Sequence, residues 1–492
     1  MMISNDLDNF KVMFVIPKDQ YPEASFLPHT GIAYLSAFLK SHNADISVVN
    51  LDLGDNLRNL TEYFNPDLIG FTSFSFRHKK VYSLIDEIKE QNKNYRVAIG
   101  GPHASLIHKN ILYETKADFA LIGESEKSLY ELCKSLKTSG KFGNNPDDFG
   151  EIKGIIWRKG GRVIENPSAG YVQNLDELPF PAYNLFSLKR YKCFNIKRLP
   201  ILTSRGCPYA CGFCAVKCLM GQKFRTRSVE NIIAEIEHWY KQGWNNFDIN
   251  DDCFNFDIQR AKKICDAIIK NKLKITFQLY NGIRVNKIDK ELLYKLKNAG
   301  CQLVNFGVES GNQDVLNYIK KGITLKQVRE AVDLANEVGI TNAVNFIIGH
   351  PTETYEKAMD SIKFAESLPT GSTHFYSILP NPGTETYAWV KKNGRFLYTE
   401  EEYLDMSSSW SGKAVPIFET DDFPLRDRTN ALKKGIQTYR KKLIQSSLGN
   451  RIGLVVFYFI RFDFVWNVVY GVLTRQKLGQ NLLRKIIKLK KK

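Results

Sequence analysis

The sequence predicts an α/β protein in two parts, a doubly wound parallel sheet followed by a partial (β/α)6 barrel, with a helical tail at the end. Three observations carry this. Between Lys11 and Lys137, short β-branched runs alternate with amphipathic stretches. From Pro200 to about Leu379 the alternation resumes with a repeat of ~30–40 residues, the length of a βα module. Between the two, residues 140–148 are polar and rich in Gly, Asn and Asp, which marks a boundary.

The elements follow in order. Runs 12–16, 46–50, 68–72, 97–100 and 119–123 read as strands, with helical patterns at 32–39, 81–90 and 127–136. Sheets of this kind bind ligands at the carboxyl ends of their strands. A hairpin is expected at 155–157 and 162–164, around Lys159, Gly160 and Gly161. Pro179 and Pro181 then exclude a helix interior and predict an extended linker. Six strands are expected in the second part, at 201–204, 247–250, 275–278, 303–307, 343–348 and 375–379, two short of a full (β/α)8 barrel. The expected division is 1–140 for the first sheet, 141–195 for hairpin and linker, 196–390 for the barrel, 391–450 for a helical extension and 451–492 for a basic tail.

Composition narrows the class. At 492 residues, 43% hydrophobic and 25% charged, the chain can build full cores; it is not disordered, collagen-like or a multi-span membrane protein. Nine Cys are too sparse for a disulfide scaffold, and the first ten residues hold no apolar run of a secretory signal. A reduced, cytoplasmic setting is expected. The net charge is +17, yet 17 Lys and Arg against 2 Asp and Glu lie between Arg426 and Lys492. The body is close to neutral, so the charge does not predict nucleic-acid binding.

The sharpest chemical signal is Cys207, Cys211 and Cys214, spaced C-x3-C-x2-C after the first barrel strand. Three thiolates in one loop can hold a 4Fe-4S cluster and leave one iron open for chemistry. The alternative is a zinc site with Cys218 as fourth ligand. The spacing, Phe213 before the last Cys and the six-stranded partial barrel resemble the radical S-adenosylmethionine (SAM) superfamily. That resemblance implies that the open iron binds SAM and that one electron cleaves it to a 5′-deoxyadenosyl radical. It also implies roles for other strand ends. Glu309 and Ser310, in Gly307-Val308-Glu309-Ser310-Gly311, would meet SAM. Gly349 would lie in the stretch that holds adenine, and Pro380 in the loop closing the sixth strand. Asn250 and Asp251 would contact the methionine amine, and Arg284 its carboxylate.

The first sheet carries a second ligand signal. Gly100-Gly101-Pro102-His103 follows its fourth strand and Gly123-Glu124-Ser125-Glu126 its fifth; Thr72-Ser73-Phe74-Ser75 follows its third. Glycines at such turns let backbone approach a bulky group, and helix starts offer free N–H groups. Ahead of a radical SAM barrel, this pattern resembles the cobalamin-binding domain of the B12-dependent subclass. The Asp-x-His-x-x-Gly cobalt-ligand signature is absent, so no protein His on cobalt is expected; His103 reads as a cap or phosphate-side contact, and Phe74 to Phe76 as a lid on the lower corrin face.

The resemblance implies a C-methyltransferase working through methylcobalamin and a 5′-deoxyadenosyl radical, on a small-molecule or lipid substrate, with an external flavodoxin- or ferredoxin-type electron donor. The alternatives are a B12-dependent radical SAM cyclase or oxidoreductase without methyl transfer, and a non-enzymatic cobalamin sensor or carrier. The tail predicts a further partner. Residues 452–473 are mostly apolar but hold Arg461 and Asp463, and the basic amphipathic run after them resembles a peripheral anchor on an anionic membrane surface. From Arg426 onward the chain is expected to be dispensable for SAM chemistry.

Overall fold

The computed structural model describes residues 5–18, 27–138, 149–191, 197–406, 414–449, 453, 455–458 and 465–466. Its first sheet has seven strands: β1 (Lys11–Ile16), β2 (Asp45–Asn50), β3 (Leu68–Thr72), β4 (Val97–Gly100), β5 (Phe119–Leu121), β6 (Ile155–Lys159) and β7 (Arg162–Glu165). They lie in the order β2-β1-β3-β4-β5-β6-β7. The first five pair in parallel, as expected. Both faces are apolar because both are covered. Val12, Phe14 and Ile16 pack with Ile32, Leu39 and Leu132, while Met13, Val15, Ile69 and Val97 pack with Val81, Ile85 and Ile88. The helices Thr30–Lys40 and Glu126–Thr138 serve one face, and His78–Gln91 the other.

The hairpin forms as expected, but it joins the first sheet. β6 pairs antiparallel with β5 and extends the sheet. It is drawn in by Ile155, Ile156 and Trp157, which are buried; Phe149 meets both Phe119 and Trp157 edge-on, at 5.1 and 5.4 Å. The segment after it is extended, as the prolines require, but it is packed: Leu175 and Leu178 join Tyr34 and Phe38 in a buried cluster.

The second sheet has six parallel strands, β8 (Leu199–Ile201), β9 (Asn246–Ile249), β10 (Thr276–Ile283), β11 (Cys301–Glu309), β12 (Thr341–Ile348) and β13 (Ser372–Ser377), in the order β13-β12-β11-β10-β9-β8. Its residues alternate. Phe277, Leu279, Val304, Phe306, Val344, Phe346 and Phe375 are buried in the main hydrophobic core, while their neighbours face inward. β8 ends earlier than expected. Ser204 and Arg205 leave it to pair antiparallel with Arg225 and Thr226.

The region expected to be a dispensable tail begins as a wall of the barrel. The helix Leu425–Leu448 lies along β13. Gly435 approaches so closely that a Cβ would stand 2.7 Å from the Phe375 ring. Tyr439 meets His374 at 5.1 Å, and Lys442 donates to the Leu368 carbonyl at 2.6 Å. Beyond it, Trp466 lies 5.1 Å from the Arg440 guanidinium. Among the described residues no helix is long and apolar enough to cross a membrane. The basic run after Arg475 lies outside the described residues.

Candidate functional site

The carboxyl ends of β1 to β5 face the start of the barrel across a cavity of about 560 Å³. Gly70, Thr72, Phe74, Gly100, Gly101, Pro102, Gly123 and Glu124 line one side; Leu202, Arg205, Leu219, Met220 and Asn250 line the other. Gly123 has φ +72° and nothing within 4 Å of where a Cβ would stand, so its backbone is bare towards a ligand. Gly101, at φ +97°, has no room for a Cβ, which would lie 2.8 Å from the Ser73 carbonyl. Phe74 stacks on Phe76 at 5.5 Å, and the Arg77 guanidinium covers both rings. The volume, the bare glycine edge and the aromatic floor fit a large planar cofactor.

His29 lines this cavity too, although its spacing to Gly31 does not match the Asp-x-His-x-x-Gly signature. Its Nδ1 accepts the Ile32 N–H at 3.2 Å, which places the proton on Nε2, 3.3 Å from the Thr72 hydroxyl. Burial, helped by Arg77, lowers its pKa to about 4. It is a neutral helix cap with both nitrogens committed. His103 does not reach the cavity, contrary to expectation. It is buried between Ser75 Oγ at 3.1 Å and the Tyr82 hydroxyl at 2.9 Å, stacked on His78, and burial lowers its pKa to about 3. Ser75 is spent on His103, and Ser73 is buried, with its backbone bonded to Gly100 and His103. These three hold the wall; they do not line it.

Glu124 has a different task from the one expected. Arg225 grips its two oxygens at 2.7 and 2.8 Å, Arg205 stands 3.6 Å away and binds Glu126 at 2.9 Å, and the Val172 N–H donates to it at 2.7 Å. The four charged side chains are buried, and they join the first sheet to the barrel. Of the four, only Arg225 lay outside every motif.

The Cys loop is shaped by its surroundings. Gly206 has φ +84°, and a Cβ there would meet the Lys223 carbonyl at 2.4 Å. Gly212 donates to the Ile319 carbonyl at 3.0 Å and accepts from Thr386 at 3.0 Å. Cys207, Cys211 and Cys214 are free and half-buried. A hydrogen bond with Cys253 lowers Cys207 to about 7, while burial, then the negative charge of Cys211 and Cys207, raises Cys214 to about 11. Lys321 lies 6.0 Å from the Phe213 ring and 2.8 Å from Glu309 Oε1. Burial pulls its pKa down, but Glu309 and Cys211 pull it up further. A cation beside three thiols offsets the charge that a thiolate set accumulates. Cys218 turns away, its Sγ 3.5 Å from the Gly383 carbonyl, so it does not complete a zinc set. Among the described residues, no three His, Cys, Asp or Glu converge as ligands of a single metal ion would. A cubane places each thiolate on a different iron, and this three-thiol loop fits that demand.

The other expected SAM contacts divide. Glu309 sits at the end of β11 at φ +77°, a conformation uncommon outside Gly, and faces Lys321. Asn250 lines the shared cavity. Asp251 does not: it is 1% exposed and accepts from the Thr203 N–H at 2.6 Å, the Thr203 hydroxyl and the Ser204 hydroxyl, fixing the turn that launches the Cys loop. Ser310 is buried against Ser361 at 3.2 Å. Arg284 is buried, stacked 3.5 Å over Tyr209, with Nε on Asn286 and Nη2 on the Lys321 and Gly322 carbonyls, which leaves only Nη1. Its charge acts on the Cys loop, but no fork is free for a carboxylate. Gly349, at φ +102°, gives its N–H to Glu353 at 2.5 Å and its carbonyl to Arg428 at 3.2 Å. Pro380 is buried, and its carbonyl accepts from the Tyr403 hydroxyl at 2.9 Å. Arg428 was hidden in a run read only as charge, and Lys321 lies in no motif.

Comparison with known proteins agrees with this geometry. The profile of the Radical SAM superfamily matches residues 201–365, and that of the B12 binding domain residues 24–133. An uncharacterized methyltransferase of Pyrococcus horikoshii is 31% identical over 75% of this chain and 80% of its own length. The anaerobic magnesium-protoporphyrin IX monomethyl ester cyclase of Rubrivivax gelatinosus is 26% identical over 77% and 69%. The structure of the radical SAM methyltransferase TsrM from Kitasatospora setae shares the fold, with a TM-score of 0.66, 20% identity and 79% of each chain covered. The chain is thus an enzyme of the radical SAM class. It belongs to the superfamily's cobalamin-dependent methyltransferase family, in which a B12 binding domain precedes the barrel.

Proposed function

We propose that this enzyme methylates an unactivated carbon of a small-molecule substrate, using a 4Fe-4S cluster, SAM and cobalamin. One observation carries the reading: the glycine edge of the first sheet and Leu219 and Met220, just past the third Cys, line a single cavity. When bound, the cluster and cobalamin supply the one-electron and methyl-transfer chemistry. The chain's own residues position and shield it. Cys207, Cys211 and Cys214 hold the cluster, with Lys321 and Arg284 balancing its charge. Glu309 would meet SAM, while the N–H and C=O groups of Gly349 are already bonded to Glu353 and Arg428. Gly100, Gly101 and Gly123 would admit the corrin, Phe74 and Phe76 would lie against it, and both nitrogens of His29 are already bonded. Leu202, Leu219 and Met220 keep water out of the shared space.

The electron donor in this reading is a flavodoxin- or ferredoxin-type protein. The charge beyond Leu448 supports a peripheral role for the tail on an anionic membrane surface, separate from catalysis.

The test is anaerobic reconstitution with iron, sulfide and cobalamin, followed by reduction in the presence of SAM and cell extract. S-adenosylhomocysteine and 5′-deoxyadenosine should both accumulate. Deoxyadenosine alone would overturn methyl transfer and point to a cyclase or oxidoreductase. Neither product would overturn the reading altogether.

A further inference from the structure

Polar side chains are spread across the inner face of the barrel sheet, interleaved with Leu303 and Ala343. Asp248, Gln278, Asn305, Asn345 and His374 occupy the inward positions of β9 to β13. Strand register sets Asp248 opposite Gln278 and Asn345 opposite His374. Among the described residues, three oxygens in this row meet no hydrogen-bond donor: Asp248 Oδ1, Asn305 Oδ1 and Asn345 Oδ1. Asp248 is 7% exposed and Asn305 3%. Two neighbouring donors are turned elsewhere. Arg198 gives its Nη1 to Gln278 Oε1 at 3.1 Å and stands 3.9 Å from Asp248 Oδ1, beyond hydrogen-bond reach. Asn305 donates its amide to the Tyr280 carbonyl at 2.9 Å, which fixes its oxygen as the unmet group. Buried acceptors without donors are costly, and the cost is recovered when a ligand brings donors to them.

We infer that this row is the floor of the substrate site, and that the substrate presents N–H or O–H donors to it, as an amine or a set of hydroxyls, and not a hydrocarbon skeleton. The inference rests on the methyltransferase reading and narrows its substrate class. A hydrocarbon laid on this face would leave all three acceptors buried and unmet, the situation that makes polar sites reject apolar analogues strongly.

The experiment uses the full-length, cofactor-loaded enzyme with trideuteromethyl-labelled SAM, and aqueous-methanol and chloroform extracts of the source cells as separate substrate pools. The label should enter a component of the aqueous pool, and amine-selective derivatisation of that product then tells an amine from a hydroxyl donor. Asn305→Leu with Asn345→Leu should lower incorporation about ten- to a hundredfold. Asp248→Asn, nearly isosteric, should raise KM by about tenfold; cluster absorbance reports whether each variant is folded. Label in the chloroform pool, or in neither pool while SAM is still cleaved, overturns the donor-rich assignment. So does aqueous incorporation that all the folded variants leave unchanged. Failure to cleave SAM at all instead overturns the methyltransferase reading on which the inference stands.

Discussion

The two parallel sheets of this chain solve one problem in opposite ways. In the first, helices cover both faces, both faces are apolar, and the cavity opens at the strand ends, where Gly123 leaves its backbone bare beside Gly100 and Gly101. In the second, the sheet curls, helices pack on its outer face, the helix Leu425–Leu448 reaches His374 at the β13 edge, and the inner face keeps Asp248, Asn305 and Asn345. Covering decides where polarity can survive in a sheet. The first sheet therefore presents an edge to its ligand, and the second presents both its strand ends and an inner surface.

The largest effect should come from the barrel's strand-end loop. Replacing Cys207, Cys211 or Cys214 by Ala should abolish the cluster's absorbance and SAM cleavage, while Cys218→Ala should preserve both, because its thiol faces Gly383. A chain ending at Pro424 should lose the barrel, since the Gly435 contact with Phe375 and the Arg428 bond to Gly349 go with the helix. Size-exclusion chromatography and circular dichroism would register that collapse. A chain ending at Leu448 should keep its fold.

The joint between the sheets gives an intermediate effect. Arg225→Ala leaves Glu124 buried beside only Arg205, and should cost about 3–5 kcal/mol in urea unfolding. Replacing Arg225 by Met together with Glu124→Gln should recover part of that loss. The smallest effect concerns pH. Burial raises Glu353 to about 7 against the lowering pull of the Gly349 N–H and Arg428. A carboxyl raised in the folded state favours folding while protonated, and that contribution is lost as pH rises from its unfolded value through 7. Wild type should thus lose on the order of 1–3 kcal/mol relative to Glu353→Gln between pH 4.5 and 7.5. Melting curves that stay parallel across this range would refute it.

The strands of both sheets were legible because apolar runs and turn residues are local signals, and the Cys triad because its spacing is. What local signals missed was pairing at a distance. The hairpin was set outside the first sheet because nothing in its own residues says that Trp157 will lie against Phe149 and beside β5. Asp251 and Arg284 looked like ligand contacts because their strand-end positions are right; which of their atoms are already used depends on Thr203, Ser204 and Lys321, which sequence does not bring together. Arg428 was masked by the charge of its neighbours, since a count of Lys and Arg cannot tell a buried cation from a solvated one.

The buried clamp of Glu124, Glu126, Arg205 and Arg225 has a kinetic consequence. It lies at the rim of the cavity, and the connector is stitched along the same seam by the Val172 N–H on Glu124, the Ala182 N–H on Ala33 and the Ser228 N–H on Asp176. Parting the two domains means exposing unpaired charges one after another, so the seam opens rarely. A large molecule seated inside has a residence time set by that opening and not by its own contacts. Loading and release of such a molecule would then be tied to the joining of the two domains.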